Sequence, residues 1–565
     1  MPHPRSSAVL PSVDIQPEKP MTQKHQRGAD ALIHSLKQSG VTRIFTLSGN
    51  HIMPVFDAAF ASGIELIHTR HEAAAVHMAD AYARITGEPG VALVTGGPGH
   101  ANAVSALYTA QMAESPVVLL SGHAPNNQLG MGAFQEMRQA DLAAPVTKHS
   151  WTSAGADNLA SDMTKAIALA LSGRPGPVHV SLPTDALEQA ASGAVSSASE
   201  AIIKPTSLTL SATDAAAFIA RLVRAKRPLV LTGPASMTRP QRSALAALED
   251  ATGVPVVGME SPRGIGDPSL GAFAQMLAQS DCVLLLGKRL DFTLKFGSSP
   301  ALASDCEFMQ IDAEQAELDR SRRAVGSRLI ATAVADTPSA IRALVAAASV
   351  SGKTTSAWRD DVHAAIAYRP QAWLTATSTI PNRLHPVQAL RPLQAILDSH
   401  PDSVFISDGG EIGQWAQACL NAPHRVINGV AGAIGAALPF ALGARVALPD
   451  VPIVAVMGDG TFGFHCAEMD TAVRYGLPFV SVVGNDARWN AEYQIQLRDY
   501  GRDRLIGCEL LPARYDEITA AFGGHGEYVT GADALIPAAE RAIASRKPSC
   551  INVMIEGLPA PNIRR

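Results

Sequence analysis

Two short motifs in the last quarter of the chain have the residue types to hold a metal ion beside a phosphate. An apolar run, Ile453 to Met457, stops at Gly458-Asp459-Gly460, and a second, Phe479 to Val483, stops at Gly484-Asn485-Asp486. Between them, apolar and small residues recur at helical spacing over about Cys466 to Tyr475, which predicts strand, helix and strand with the two strands parallel. Ligands of open α/β sheets sit at the carboxyl ends of the strands, and this unit places a carboxylate, Asp459 and Asp486, at two such ends. The neighbouring glycines let backbone approach a phosphate, and hard oxygens beside a diphosphate are what Mg²⁺ or Ca²⁺ requires. Gly-Asp-Gly alone is an ordinary tight turn; the second motif and the flanking strands lift it above that.

Near the other end, Ile64 to His68 reads as a short strand leading into Thr69-Arg70-His71-Glu72 and a helix over Ala73 to Arg84. A glutamate that opens a helix is commonly just a favourable first-turn charge. Set beside the Asp459 and Asp486 motifs, Arg70-His71-Glu72-Ala73-Ala74-Ala75 completes a pattern that resembles the thiamine diphosphate enzymes, in which Gly-Asp-Gly is followed after a fixed gap by Asn-Asn or Asn-Asp.

The resemblance implies roles for individual residues. Glu72 lies against N1′ of the aminopyrimidine and shares a proton that helps C2 lose its own, while the electron-sink chemistry belongs to the cofactor. Asp459 and Asp486 bind Mg²⁺ through their side chains, with the backbone carbonyl of Arg488 as third protein ligand. Gly410, Gly458, Gly460 and Thr461 receive the cofactor, the last two cradling the diphosphate with backbone and hydroxyl donors. Ile434, in Gly432-Ala433-Ile434-Gly435, matches the bulky apolar residue that folds the cofactor into a V; its plainer role is a core isoleucine among small helix residues. Asn102, after Gly96-Gly97-Pro98-Gly99, matches a contact on the aminopyrimidine side. His51 and Gln135 align with polar residues that reach the reacting carbon in lyases, one able to shuttle a proton and the other to hold an oxyanion. His51 follows a strand end, Ile44 to Ser48, an argument that His71, His100 and His123 lack.

These groups need more than one platform to hold them. A chain of 565 residues exceeds a single core, and 47% hydrophobic with only 5% aromatic content suits buried parallel sheets under closely packed helices. The expected fold class is therefore α/β, with three doubly wound parallel-sheet domains. Residues 1–26 read as a disordered leader without the apolar core of a signal peptide. Residues 27–190 carry strands at Arg43-Ser48, Ile64-His68, Val91-Thr95, Val117-Ser121 and Val178-Leu182. An Ala/Ser-rich linker over 190–204 precedes a middle domain, 205–350, with strands at Pro228-Thr232, Val254-Gly258, Cys282-Gly287 and Phe308-Asp312. A second linker falls between Val350 and Arg383, and a third domain, 384–557, closes with the strand Cys550-Ile555. The outer domains resemble each other in order of parts, and the small-residue stretch Gly429 to Gly443 suits tightly packed helices.

A net charge of −5 with evenly mixed charges offers no surface for nucleic acid or an anionic membrane. No apolar run approaches the roughly 18 residues of a membrane span. The six cysteines are scattered without a Cys-x-x-Cys pair, which predicts buried thiols and a reducing, cytoplasmic setting.

The three-part layout resembles the pyruvate-oxidase-like branch of these enzymes, nearest to the 2-hydroxyacyl-CoA lyase/oxalyl-CoA decarboxylase group and benzaldehyde lyase, with acetolactate synthase more distant. Ser48-Gly49-Asn50-His51 and Thr69 to Ala75 are shared with benzaldehyde lyase; Gly132 to Glu136, and Gly287 to Phe292 with Phe296-Gly297, are shared with the acyl-CoA lyases. The implied activity is a carbon–carbon lyase/carboligase acting on 2-hydroxyacyl substrates, CoA thioesters among them, or 2-hydroxy ketones, through an enamine. The runner-up is an acetolactate-synthase-like or benzaldehyde-lyase-like carboligase using 2-keto acids or aldehydes; an FAD-linked 2-keto acid oxidase is the alternative of another class. Asp312, at the end of Met309-Asp312, could meet the ribose of FAD or ADP in the middle domain, and nothing else in the sequence supports either nucleotide. Two stretches depart from the acyl-CoA lyases: Asn485-Asp486-Ala487-Arg488-Trp489-Asn490 replaces Asn-Asn-Asn-Gly-Ile-Tyr, and Glu556 to Arg565 is short for a lid over coenzyme A. Because Glu72 and Asp459 stand on separate platforms, the resemblance further implies a homodimer core, doubled to a tetramer, with each active site at a subunit interface.

Overall fold

The computed structural model describes residues 26–191, 205–351 and 357–565. The expected leader, apart from Gln26, and nearly all of the first linker lie outside them. Three sheets, each of parallel strands, follow one another along the chain. The first contains β1 (Arg43–Thr46), β2 (Glu65–His68), β3 (Gly90–Val94), β4 (Val117–His123), β5 (His149–Thr152) and β6 (Val178–Pro183), in the order β2-β1-β3-β4-β6-β5. The middle sheet contains β7 (Pro228–Thr232), β8 (Val256–Gly258), β9 (Cys282–Leu286), β10 (Glu307–Asp312) and β11 (Leu329–Val334), ordered β11-β10-β9-β7-β8. The third contains β12 (Val404–Ser407), β13 (His424–Ile427), β14 (Ile453–Gly458), β15 (Val480–Asn485), β16 (His525–Val529) and β17 (Ser549–Met554), ordered β13-β12-β14-β15-β17-β16. The outer sheets thus share one strand order, as their sequence suggested.

Central strands are buried along their whole length, β3, β4, β9 and β12 among them, because helices cover both faces of each sheet. Five strands exceed the sequence expectation: β12 and the sheet edges β5, β11, β13 and β16. Edge strands touch solvent on one side, so β5 (His-Ser-Trp-Thr) and β16 (His-Gly-Glu-Tyr-Val) carry no continuous apolar run to announce them.

The helix expected at about Cys466 to Tyr475 forms over Glu468–Arg474, preceded by a short one over Asp459–Phe462. Another expected helix is corrected. The stretch Gly429 to Gly443 becomes helical only in Ala437–Ala447, because Gly429, Gly432 and Gly435 take φ of 71°, 69° and 90°. In the expected second linker, the helix Ala357–Ala367 buries Trp358, Val362 and Ala365 against the middle-domain core, and Trp358 Nε1 donates to the Pro228 carbonyl at 2.9 Å.

The first and third domains share a core. Helix Glu72–Thr86 lies on helix Ala437–Ala447, where Met78, Val76, Phe440 and Leu442 are buried together. At Gly443 a Cβ would overlap the carbonyl oxygen of Met78, so the helices approach as closely as backbones allow. Tyr475 adds a polar tie, accepting from the His68 amide at 2.8 Å and donating to the Leu66 carbonyl at 3.1 Å. The carboxyl-terminal segment is fixed as well: Pro559 accepts from Trp415 Nε1, Ile563 is buried, and the Arg565 guanidinium stands over the Tyr368 ring. Among the described residues no helix is long and apolar enough to cross a membrane.

Candidate active site

β14 and β15 run side by side with Gly458 opposite Gly484, so the residues that follow, Asp459 and Asp486, emerge together at the carboxyl edge of the third sheet. Both are buried, at 2% and 6% exposure, and among the described residues no salt bridge compensates either carboxylate. Burial pushes Asp459 up to about 6 against the backbone N–H groups of Gly460, Asp459, Arg488 and Ala487. Burial, then the Asp459 charge, pushes Asp486 up to about 8, with Arg488 and Arg383 opposing. Asp459 Oδ2 is buried without a hydrogen-bond partner. A buried carboxylate pair with one unpartnered oxygen is a donor set whose hard oxygens fit Mg²⁺. Among the described residues no three His, Cys, Asp or Glu side chains are placed to hold a metal, so a cation here needs backbone or diphosphate oxygens besides the pair. The chain turns back at once through Ala487, whose φ of 61° is unusual for a residue with a side chain, and this brings the Arg488 backbone to Asp459.

Gly460 leaves room for Trp489, whose ring would stand 2.6 Å from a Cβ there. Thr461 is buried and its hydroxyl donates to the Gly458 carbonyl at 3.0 Å, so the expected phosphate-facing hydroxyl is turned inward and the backbone amides are the remaining donors. Gly410, at φ 76°, opens the helix Gly410–Cys419 after β12.

Ile434 is neither helical nor core: it is 36% exposed, with Cγ2 set against Gly409, where a Cβ would lie 2.7 Å away. Its neighbours are clamped. Buried Asp408 accepts from the amides of Gly409 (2.7 Å), Gly435 (2.9 Å) and Ala437 (3.0 Å), Asn428 Nδ2 donates to the Ala433 carbonyl at 3.1 Å, and His465 Nδ1 meets the Gly435 carbonyl at 2.7 Å. Asp408 was not legible in the sequence, because two of its partners, the Gly435 and Ala437 amides, lie far along the chain.

In the first domain, β2 ends at His68 and Glu72 begins the next helix, with His71 capping it by accepting from the Ala73 amide. Asn102 Nδ2 donates to Glu72 Oε2 at 3.1 Å, and a Cβ on Gly99 would lie 3.3 Å from Glu72 Oε1. His51 is buried, with Nδ1 3.2 Å from Thr95 Oγ1 and its ring stacked on Phe134 at 5.9 Å. Burial holds its pKa below the ordinary value, and His123 adds to that. Gln135, at φ 56°, sits over Gly97, where a Cβ would come within 2.8 Å of it. Glu136 fixes this loop by accepting from the amides of Gly130, Gly132 and Ala133.

The chain therefore brings Glu72, Asn102, His51 and Gln135 to one sheet edge, and Gly410, Ile434, Asp459 and Asp486 to another. Among the described residues, no hydrogen bond, ion pair or ring contact joins Glu72 to Asp459 or Asp486 within the chain. In the middle domain Asp312 is already engaged: Arg174 pairs with it and with Glu114, and the Glu314 amide donates to its other oxygen at 3.0 Å, so a nucleotide ribose would compete with these partners.

Parallel sheets with a buried carboxylate pair at the carboxyl edge of one and a hydrogen-bonded glutamate at that of another have the layout of an α/β enzyme. Residues 26–142, 215–341 and 408–553 match the N-terminal TPP binding, central and C-terminal TPP binding domains of the thiamine pyrophosphate enzymes. The chain is 32% identical over 534 residues to a probable acetolactate synthase of Mycobacterium bovis, covering 92% of this chain and 94% of that one. It is 29% identical over 584 residues to 2-hydroxyacyl-CoA lyase 2 of Caenorhabditis elegans (94% and 90% covered) and 30% identical over 547 residues to oxalyl-CoA decarboxylase of Escherichia coli (94% and 95%). A thiamine diphosphate-dependent 4-hydroxybenzoylformate decarboxylase of Rhodococcus jostii superimposes with a TM-score of 0.80 at 20% identity, covering 94% of this chain and 99% of that one, a likeness of fold. The protein belongs to the thiamine pyrophosphate enzymes.

Proposed function

We propose that the protein is a carbon–carbon lyase/carboligase of the 2-hydroxyacyl-CoA lyase kind, acting on 2-hydroxyacyl compounds, CoA thioesters among them, or 2-hydroxy ketones. The observation that carries this reading is the wall of the first site half, where buried His51 is stacked under the Phe134-Gln135 loop beside the Gly96–Gly99 turn. Thiamine diphosphate, when bound, supplies the electron sink for cleavage next to the substrate carbonyl. Asp459, Asp486 and the Arg488 carbonyl would hold Mg²⁺, and the amides around Gly458, Gly460 and Gly410 would receive the diphosphate. Ile434 supports the bend of the cofactor. Glu72, oriented by Asn102, holds a proton at the aminopyrimidine N1′. His51, kept neutral by burial, takes the proton of the substrate hydroxyl and later returns it, and the Gln135 amide donates to the oxyanion.

Both halves must meet on one cofactor, which supports a homodimer core, doubled to a tetramer, with the first domain of one subunit facing the third domain of another. Met131 and Phe134 on the first domain and Phe464 on the third are large apolar side chains exposed in the single chain, as an interface would leave them. The six free cysteines suit a reducing cytoplasm. A second reading, an acetolactate-synthase-like carboligase using 2-keto acids, is favoured by the 32% identity to the mycobacterial protein. The two are separated by incubating the protein with thiamine diphosphate, Mg²⁺ and a panel of 2-hydroxyacyl-CoAs, benzoin and pyruvate, and weighing the products. The lyase reading expects a one-carbon-shorter aldehyde together with formyl-CoA from a 2-hydroxyacyl-CoA; acetolactate from pyruvate alone would overturn it.

A further inference from the structure

Three parts of the first site half hang from the end of β4, Ser121-Gly122-His123. Gly122 is pressed by His51, which would lie 2.6 Å from a Cβ there, and His123 Nε2 is 3.0 Å from the Met137 carbonyl at the base of the Gln135 loop. The third part is the Gly96–Gly99 turn, and it is joined to β4 by a residue outside every motif considered above. Gln139, buried at the start of the helix Gln139–Ala143, accepts from the Gly97 amide through Oε1 at 2.8 Å. Its Nε2 donates to the Gly122 carbonyl at 3.0 Å and to Ser181 Oγ at 3.1 Å, so both amide hydrogens and the carbonyl are used. Gly97 needs such a hold, since its φ of 60° and ψ of −113° lie outside the regions other residues adopt. The turn in turn sets two contacts of the site: Gly97 lies under Gln135, and Gly99 lies against Glu72, with Asn102 one helical turn further on.

We propose that Gln139 is a positioning residue of the active site, fixing the Gly96–Gly99 turn so that Glu72, Asn102 and Gln135 keep their relative placement. This rests on the roles given to Glu72 and Gln135 above. The amide accepts from Gly97 and donates to both Gly122 and Ser181 at once, at any pH, which a carboxyl with at most one hydrogen does not. Glutamate at the same position keeps the acceptor, but when ionised it sets an oxygen against the Gly122 carbonyl. When protonated, its O–H can stand in for the amide N–H.

The test is therefore Gln139→Glu, with Gln139→Leu beside it. At pH 8 the Glu variant should lose roughly 10- to 100-fold in kcat, as misplacement of reacting groups typically does, while KM and cofactor affinity stay within about threefold. Its activity should recover as the pH falls and the carboxyl takes up a proton, a limb absent from the parent; the Leu variant should be low at every pH. In protein free of cofactor, hydrogen exchange of the amides in residues 96–101 should be faster than in the parent for Leu, and faster at pH 8 than at low pH for Glu after correction for intrinsic rates. A Glu variant with parental kcat at pH 8, a loss of equal size at all pH values, or unchanged exchange in residues 96–101 would each overturn the proposal, and if one variant does not fold the other decides. Glu72→Gln serves as the control: if it turns over like the parent, the reading of the site fails, whereas an inactive Glu72→Gln beside a parental Gln139→Glu removes the positioning role alone.

Discussion

Exposure separates two roles for Ile434 that sequence leaves side by side. A core isoleucine cut to alanine costs about 2–5 kcal/mol, while a side chain exposed as far as this one, at 36%, should cost less than about 1 kcal/mol. Ile434→Ala should therefore melt within a few degrees of the parent yet turn over at least tenfold more slowly, because the bend of the cofactor loses its support. Calorimetry and steady-state rates on the same preparation check both halves; a large drop in melting temperature with unchanged turnover would return Ile434 to the core. Glu72, Asp459 and Asp486 stand in motifs of fixed spacing, and that is why the sequence singles them out as candidates. Asp408 and Gln139 are not legible there, since each acts on backbone groups that only the fold brings near: Asp408 on Gly435 and Gln139 on Gly97. Thr461 shows the converse, a motif residue whose hydroxyl the fold turns inward onto Gly458.

At the scale of elements, buried central strands were readable as apolar runs and half-solvated edges were not, β5 and β16 being the plainest cases. The helix expected to begin near Gly429 fails for a physical reason that the sequence contains but helical periodicity ignores: three glycines there are used for positive φ, which leaves Ile434 on an irregular segment facing outward. Where the helix does form, Gly443 is the contact that matters. Its absent Cβ admits the backbone of Met78, and backbone cannot yield as the end of a side chain can. Gly443→Ala should gain helix propensity of about 1 kcal/mol yet lose more through the forced separation from helix Glu72–Thr86, a net destabilisation of about 1–3 kcal/mol seen as a lower denaturant midpoint. A stabilised Gly443→Ala protein would mean that the helices are not packed this closely. Because Glu72 opens one of these helices, the variant should also be slower in turnover.

At the scale of the whole molecule, each chain carries two groups of candidate residues, Glu72 with Asn102 on the first sheet and the Asp459–Asp486 pair on the third, and among the described residues no hydrogen bond, ion pair or ring contact joins them. Duplicated sheets of identical strand order make this arrangement natural, since two such halves can pair across a twofold axis and bury one cofactor between them. The measurement that tests this most directly is complementation between two inactive variants. On the roles proposed for them, Glu72→Gln lacks the proton-holding group and Asp459→Ala lacks half of the metal pair, so each homo-oligomer should be inactive. Mixed after dissociation and reassociation, with thiamine diphosphate and Mg²⁺ present, they should regain a substantial fraction of parental activity, because a hybrid dimer contains one site with both groups intact. If labelled subunits are seen to exchange and the mixture stays inactive, or if light scattering shows a monomer that turns over at the parental rate, the two halves do not meet across subunits and the account is contradicted.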